Sequence, residues 1–233
     1  MTALGDKDST IVALGPDHAD AVWALYRQVQ AATPHGFLAQ RQPADFAQVL
    51  AGQTPGVAVG AFVGGQLQGY SFSRLMAADH PLSRAFGFAS GTAFEGMGSA
   101  IAPQISGRLI MARMLALRGQ IETTKGGAHV VGLIDTANLA SVANVLRSGG
   151  VLVGTRRDAT SMNYVGYGGV WVQGKRAEGA GTDVPVGDLD AQRHLFAQGW
   201  AATGLRRSGE DHVLAFFPFV AAFGHLGTTL SEV

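Results

Sequence analysis

Apolar and polar residues alternate along the first third of the chain in a pattern that predicts strands separated by helices. Apolar residues recur at every second position in some segments and at intervals of three or four positions in others, as strands and amphipathic helices require. The pair Gly64-Gly65 between two strand-like segments is a strong signal for a β-hairpin. The predicted strands lie at 10–14, 57–63 and 66–73, and the predicted helices at 17–33 and 43–52.

The rest of the chain continues this alternation. Residues 87–101 are small and apolar, and we interpret them as a strand with breaks that ends before Pro103, because proline cannot continue a central ladder. The continuous apolar run at 128–134 is typical of a strand buried on both faces. Together the elements predict an α/β or α+β fold, a sheet with helices on both faces. Further strands are predicted at 151–153, 164–172, 202–206 and 213–217, and a loop at 174–187. Helices are predicted at 109–117 and 138–148, and a short helix capped by Asp188 or Asp190 is predicted to end at Gln198.

Composition narrows the classes of protein and of site. The 233 residues suffice for a self-supporting core, and 17 basic against 17 acidic residues give no net charge. Neither half of the chain is basic, so nucleic acid is not expected as a partner. The absence of cysteine excludes disulfides and thiolate metal sites, and the seven histidines show no pair at ligand spacing, so no metal site is predicted.

The two ends of the chain bear on location and assembly. The first nine residues lack the basic start and apolar run of a secretory signal, so a cytoplasmic location is expected. The segment 212–231 contains no Asp, Glu, Lys or Arg, but Pro218 and Gly224 interrupt it, which leaves less apolar length than a spanning helix needs. We interpret it as a buried strand and an apolar tail rather than a membrane anchor. Pairing of two such tails in a homodimer is one form of that interpretation.

One segment combines a strand end, a turn with a glycine and a helix start. It runs from Ile101 to Leu109. The unpaired amides at a helix N-terminus carry a partial positive charge and bind phosphate, and glycine lets a ligand approach the backbone. A second strand-to-helix segment, Asp135 to Ser141, follows the buried strand. The sequence therefore predicts a phosphate-binding turn at 101–109.

On these residues the sequence resembles the GNAT acyltransferase superfamily, whose members transfer an acyl group from coenzyme A to an amine. Gln104-x-x-Gly107-x-Leu109 is similar to the superfamily's Q/R-x-x-G-x-G/A diphosphate motif, and Asn138-x-x-Ser141 is similar to its second signature. The resemblance implies a GNAT-like mixed, mostly antiparallel sheet and acetyl-CoA as cosubstrate.

The resemblance covers residues 10–170. It implies an acyltransferase core at 1–170, and it leaves 171–233 as an α/β extension, a helix and a β-hairpin packed on that core.

The resemblance also implies which residues hold the coenzyme. In the superfamily the fourth strand splays from the fifth, and the pantetheine arm of coenzyme A lies in the gap. Carried over to this chain, Ile101 and Ala102 pair with pantetheine, Asn138 contacts it, and Ser141 belongs to the same binding set. The diphosphate is then held by Gln104, Ile105, Ser106, Gly107, Arg108 and Leu109.

The fourth strand carries one carboxylate and two glycines. Glu95 is its only acidic residue, and acidic residues of this strand often act as a base in the superfamily, commonly through water. Gly96 and Gly98 mark positions where a bulge and a close backbone approach are expected. Two interpretations of Glu95 stay open: a general base, or a salt-bridged carboxylate at a strand edge.

Two positions depart from the superfamily pattern. Leu109 replaces a small residue, and Val145 stands where a tyrosine often protonates the leaving thiolate; water or the hydroxyl of Ser141 or Tyr164 would then serve. The sequence predicts an acyl-CoA-dependent N-acetyltransferase acting by direct transfer on a small-molecule or peptide amine. The alternative is an acyl-CoA-binding regulatory or interaction module that has lost its acid.

Overall fold

The computed structural model of the chain describes residues 9–33, 37–105, 109–158, 161–169 and 180–219. Within them it contains ten strands and six α-helices. The strands are β1 (Ser9–Ala13), β2 (Gly56–Val63), β3 (Gln66–Leu75), β4 (Ala93–Ile101), β5 (His129–Asp135), β6 (Val151–Arg157), β7 (Met162–Gly169), β8 (Thr182–Pro185), β9 (Trp200–Ser208) and β10 (Asp211–Pro218). The helices are α1 (Ala19–Ala32), α2 (Pro43–Leu50), α3 (Pro81–Phe86), α4 (Ile110–Thr124), α5 (Leu139–Arg147) and α6 (Leu189–Ala197).

The chain folds into two compact units. Unit 1 comprises Met1–Leu75 and Phe94–Gly126, and unit 2 comprises Met76–Ala93 and Gly127–Val233. In unit 1 the strand order is β1-β2-β3-β4, and every neighbouring pair is antiparallel. The hairpin between β2 and β3 turns at Gly64 and Gly65, whose φ angles of 57° and 78° lie in the left-handed region that glycine tolerates. The predicted hairpin is therefore confirmed.

Helices cover both faces of β3. Successive side chains of a strand point to opposite sides of the sheet, so alternate residues of β3 meet different helices. On one face Tyr70 and Phe72 pack edge-on against Phe46 of α2, with ring centroids 5.6 and 5.2 Å away. On the other face Met114 of α4 lies against Gly69, where a Cβ atom would come within 3.0 Å of the methionine methyl group. A side chain at position 69 would require the Met114 side chain to shift by a few tenths of an ångström.

A buried polar network lies under α4. Arg118 and Glu122 are 8% and 1% exposed, and the guanidinium Nε lies 3.0 Å from the carboxylate Oε1. Arg118 donates a hydrogen bond of 2.8 Å to the hydroxyl of Ser71, which is 2.6 Å from that of Ser99, and Ser73 donates to Glu122. Two neighbouring strands are thus joined to one helix by a desolvated ion pair.

The strand β4 contains the bulge that its glycines predict. Phe72 faces Gly98, but the next residue of β3, Ser73, faces Gly96, so that Met97 is an extra residue in β4. Gly98 has a φ of 130°, which residues with a side chain rarely adopt. The expectation of a bulge at these glycines is confirmed.

The prediction of a strand over 87–101 was wrong at its N-terminal end. The strand β4 begins at Ala93, and the preceding chain forms the short helix α3. Pro81 opens that helix, the Nδ1 of His80 accepts a hydrogen bond of 3.3 Å from the backbone N–H of Leu82, and Gly87 follows its last turn with a φ of 65°. Proline at the start and glycine at the end are the usual asymmetry of helix ends. Residues 87–92, predicted as strand, form the turn between this helix and β4, where Gly91 also has a left-handed φ of 79°.

Unit 2 has the strand order β5-β7-β6-β9-β10-β8 with antiparallel pairing. One of its cores holds α3 against β5, β6 and β7, with Leu82 and Phe86 packed on Val131, Val165 and Tyr167. A second core joins α5 and α6 to the opposite face of the sheet, where Leu152 and Tyr164 alternate along β6 and β7 with the residues of the first core. No helix in the described part of either unit is long and apolar enough to span a membrane.

The C-terminal part of unit 2 departs from the prediction at one strand. Part of the predicted loop at 174–187 is the strand β8, which pairs with β10. Gln192 of α6 fixes the connection: its amide donates to the carbonyls of Pro185 and Val186 at 2.8 and 2.9 Å and accepts from the hydroxyl of Tyr164 at 2.9 Å. The strand β10 confirms the one predicted at 213–217, and the apolar tail beyond it lies outside the described residues.

Candidate active site

The end of β4 presents backbone groups away from β3. The N–H of Ala102 donates to the carbonyl of Gln68 at 2.8 Å, and the neighbouring residue Ile101 faces Gly69. Because directly opposed pairs of an antiparallel ladder alternate between bonded and non-bonded, Ile101 belongs to a pair without ladder bonds. Its N–H and C=O therefore point away from β3, as pairing with an extended ligand requires.

The predicted diphosphate segment continues from this strand end. Residues Pro103–Ile105 form a 3-10 turn in which the N–H of Ile105 donates to the carbonyl of Ala102 at 3.0 Å. The side chain of Ile105 is buried, whereas Gln104 is exposed and donates to the side chain of Gln68 at 2.6 Å. Ser106, Gly107 and Arg108 lie outside the described residues.

The residue after this gap, Leu109, is 61% exposed, and it directly precedes α4. One continuous segment thus supplies a strand end, a turn and a helix start.

Asn138 occupies the N-cap of α5 in unit 2. Its Oδ1 accepts a hydrogen bond of 3.1 Å from the backbone N–H of Ser141. Such a cap satisfies one of the amide groups that the first turn of a helix leaves unpaired. The second predicted signature is therefore a helix cap in this structure, and the cap fixes the orientation of the Asn138 amide group.

Glu95 forms an ion pair with the residue opposite it in the sheet. Arg74 of β3 faces Glu95 of β4, and its Nε and Nη2 lie 2.7 and 2.6 Å from the carboxylate Oε2. The Glu95 side chain is 22% exposed and that of Arg74 is 44% exposed. The structure thus brings a half-buried carboxylate and a cation together two residues before the bulge. The salt-bridged interpretation of Glu95 is correct as geometry, and it leaves a role in proton transfer open.

Arg41 reaches the same strand from the loop between α1 and α2, and sequence reasoning missed it. Its Nη2 donates a hydrogen bond of 2.7 Å to the carbonyl of Met97, the bulge residue. The hydroxyl of Tyr26 holds the loop in place, since it accepts from the backbone N–H of Arg41 at 2.9 Å and donates to the carbonyl of Ala39 at 3.1 Å. No spacing signal in the sequence marks this contact, because it depends on the bulge in a distant strand.

Comparison with solved structures identifies the fold. No protein-family model and no curated protein sequence matches the chain significantly. The chain is similar to the GNAT-family acetyltransferase from Streptococcus pneumoniae, with 13% identity and a TM-score of 0.56 over 70% of this chain and 99% of that one. It is also similar to Arabidopsis thaliana NAA60 in complex with acetyl-CoA, with 10% identity and a TM-score of 0.58 over 70% and 98%.

A third similar structure is the aminoglycoside acetyltransferase AAC(6')-Ib in complex with coenzyme A and kanamycin. It shares 11% identity, with a TM-score of 0.52 over 72% of this chain and 99% of that one. The chain has the GNAT fold. The fold class predicted from the sequence is thereby confirmed.

Within this GNAT fold, the predicted candidates for the acid lie in unlike surroundings. Val145 packs on the apolar core that contains Val142 and Tyr164. The hydroxyl of Tyr164 is buried and donates to Gln192, and burial raises the pKa of Tyr164 to about 12. A phenol held in this way is a poor proton donor near neutral pH. The other predicted hydroxyl group, that of Ser141, lies on a half-buried residue of α5.

The described residues contain no group of three or more His, Asp or Glu side chains that could hold a metal ion. In unit 1 the candidate residues are the backbone groups at the end of β4 and the ion-paired carboxylate of Glu95, and in unit 2 the candidate is the capping amide of Asn138.

Proposed function

We propose that the chain is an acyl-CoA-dependent N-acyltransferase that transfers acetyl from acetyl-CoA to an amine. The orientation of Ile101 at the end of β4 carries the proposal, because it leaves one N–H and one C=O directed away from β3 at the start of the motif segment. The GNAT fold and the sequence Gln104-x-x-Gly107 after this strand support it.

The proposal assigns each part of the cosubstrate to residues of this chain. Ile101 would pair with the amide groups of the pantetheine arm, the segment 104–109 would hold the diphosphate, and the amide group of Asn138 would contact the arm. Ala102 contributes differently, because its N–H already donates to Gln68 and its carbonyl accepts from Ile105.

In the proposed reaction, the acceptor amine attacks the carbonyl carbon of the thioester, and the carbon–sulfur bond breaks. An alkylammonium loses one proton before the attack and a second as the amide forms; the departing thiolate takes up one, and the other goes to solvent. Freeing the lone pair of an alkylamine at neutral pH costs about 4.6 kcal/mol, so a base near the amine is useful. We assign that role to Glu95, directly or through water, with Arg74 as the positioning residue that orients the carboxylate.

The acceptor would approach from the side of the sheet that α1 and α2 cover. Glu95 points to that face, because it lies opposite Arg74, which shares a face with Phe72. Arg41, from the loop between α1 and α2, donates a hydrogen bond to the carbonyl of Met97, two residues after Glu95. One structure with this fold holds kanamycin. We therefore include aminoglycosides among the amines to be tested, together with polyamines, amino acid amides and peptides.

A second candidate function is an acyl-CoA-binding module without catalysis. Val145 favours it, because this side chain belongs to an apolar core and offers no proton to a thiolate. Both functions require coenzyme binding, and only the first requires turnover.

The experiment combines a thiol-release assay with a binding measurement on the full chain. The chain contains no cysteine, so a thiol reagent reports only the coenzyme A that is released. We expect acetyl-CoA to stabilise the protein against heat and at least one class of amine to release thiol. The Gly107→Glu variant, which places a carboxylate in the diphosphate motif, is expected to lose both.

Binding without release for every amine would favour the module. No binding of acetyl-CoA by the wild-type chain would contradict both functions.

A further inference from the structure

A pocket of about 550 Å³ lies in unit 2 between α5 and the β9–β10 hairpin, and the proposed reaction does not use it. Its volume falls in the range of about 300–1,000 Å³ that small-molecule sites occupy. The pocket is formed by the part of the chain that lies beyond the sequence resemblance as well as by α5. A ligand bound here would contact the C-terminal extension.

The floor of the pocket is apolar. Leu139, Ala143 and Leu146 line it from α5, and their spacing of four and three residues places them on one face of the helix. Leu205 of β9 completes the floor from the sheet. An apolar portion of a ligand would therefore be desolvated against these four side chains.

The rim of the pocket is cationic. Arg207 and His212 are cross-strand partners in β9 and β10, so their side chains share one face of the sheet, and Arg147 is the last residue of α5. Arg206 also lines the pocket, but its charge is matched by an ion pair with Asp183.

No lining residue is acidic. Within the described residues, Arg147 and Arg207 have no ion pair, so two guanidinium groups remain without a matching charge.

We propose that this pocket binds a phosphorylated small molecule with an apolar body. Guanidinium groups bind phosphate oxygens in pairs of hydrogen bonds, and two of them balance the charge of a phosphate dianion. The apolar floor would take the rest of the molecule. This site is separate in sequence from the motif at 101–109, so the inference does not depend on the proposed acyl transfer.

The test uses 1-naphthyl phosphate as the probe, titrated into the full chain by calorimetry. Inorganic phosphate and 1-naphthol, which represent the charged and the apolar part of this probe, are titrated separately. We expect the intact probe to bind more tightly than either component, because both the rim and the floor contribute. The Arg207→Glu and Arg147→Glu variants are each expected to weaken binding about tenfold or more, the usual effect of losing a charge-assisted hydrogen bond.

Arg193→Glu is the matched control, because Arg193 is an exposed residue of α6 that pairs with Asp190 and does not line the pocket. It should leave binding of the probe unchanged. Thermal unfolding of all three variants checks that they fold. Saturating acetyl-CoA should also leave binding of the probe unchanged, and the pocket variants should bind acetyl-CoA as the wild type does.

Three results would overturn the proposal: no binding of 1-naphthyl phosphate, equal loss in the Arg193 control, or displacement of the probe by acetyl-CoA. The last result would place the probe in the coenzyme site. None of the three bears on turnover of acetyl-CoA, so this proposal and the proposed function can fail separately.

Discussion

Arg74 and Glu95 lie opposite each other in β3 and β4, and two nitrogens of the guanidinium contact one carboxylate oxygen. The pair depends on the bulge at Met97. A regular ladder continued from the pair Phe72 and Gly98 would have placed Gly96 opposite Arg74 instead. The bulge therefore determines which side chain the arginine orients, and with it the position of the proposed base.

The Glu95→Gln variant tests that role. We expect kcat/KM for the amine to fall by about 10²–10⁴-fold, the usual contribution of a positioned base, with unchanged binding of acetyl-CoA. The Arg74→Gln variant should cause a smaller loss, because the carboxylate remains but is less well oriented. Glu210→Gln, at an exposed turn residue, is the matched control. Turnover of Glu95→Gln at the wild-type rate would exclude Glu95 as the base.

The buried ion pair of Arg118 and Glu122 predicts a large effect on stability. Glu122→Leu leaves a desolvated guanidinium without its partner, and we expect a loss of about 3–5 kcal/mol in the free energy of unfolding. The double variant Arg118→Met with Glu122→Leu should recover much of that loss, since no charge is then buried. Urea denaturation measures all three proteins.

The control for this prediction is the exposed pair of Arg193 and Asp190. The carboxylate of Asp190 is 92% exposed, so Asp190→Asn should cost less than about 1 kcal/mol. A loss of similar size in Asp190→Asn and Glu122→Leu would show that burial does not set the energy of these pairs.

Elements with a local signal were predictable from the sequence, and those that depend on partners were not. The hairpin at Gly64-Gly65 and the helix that ends before Gly149 are encoded by residues within a few positions. The strand β8 has only four residues and pairs with β10. A strand this short shows no apolar alternation in the sequence, so it could not be predicted from local pattern. The helix α3 has a local signal, proline at its start and Gly87 at its end, but its six residues are too few to show a helical period.

The candidate site shows the same division. The strand end and turn before Gln104 and the helix start at Asn138 could be predicted from the sequence. The partners of Glu95 and of Arg41 could not, because both contacts require the register of two strands and the bulge between them. Sequence reasoning therefore located the proposed coenzyme segment better than the surroundings of the proposed base.

Asn138 and Asp188 cap their helices in the same way, so a comparison of the two separates the capping role of Asn138 from its proposed role in binding acetyl-CoA. Asp188 caps α6 as Asn138 caps α5: each side chain accepts from the backbone N–H three residues later, at 3.0 and 3.1 Å. We expect Asn138→Ala and Asp188→Ala each to lower the free energy of unfolding by about 1 kcal/mol. Only Asn138→Ala should also weaken the binding of acetyl-CoA, measured by calorimetry.

The Asn138→Asp variant refines this prediction, because aspartate keeps the cap and removes the amide N–H groups. It should fold as stably as the wild type and still bind acetyl-CoA less tightly. Wild-type affinity in Asn138→Asp would mean that Asn138 acts only as a cap.

His129 predicts how stability depends on pH. It is 9% exposed, stacks on Phe88 with ring centroids 4.4 Å apart, and shares a hydrogen bond of 2.9 Å with the hydroxyl of Tyr167. Burial lowers the pKa of His129 below its ordinary value of 6.5. The folded chain therefore resists protonation at this ring more than the unfolded chain does.

The sign of the effect follows from proton uptake. Above pH 6.5 the His129 ring is neutral in both the folded and the unfolded chain, so its burial does not make the free energy of unfolding depend on pH. As the pH falls below that value, the unfolded chain binds a proton that the folded chain does not, so the free energy of unfolding decreases until the lowered pKa of the folded state is reached. Urea denaturation between about pH 7.5 and pH 5 should show this decrease as a difference between the wild type and His129→Gln. Tyr167→Phe should keep it, because burial rather than the hydrogen bond is its cause, and identical pH dependence in wild type and His129→Gln would rule the explanation out.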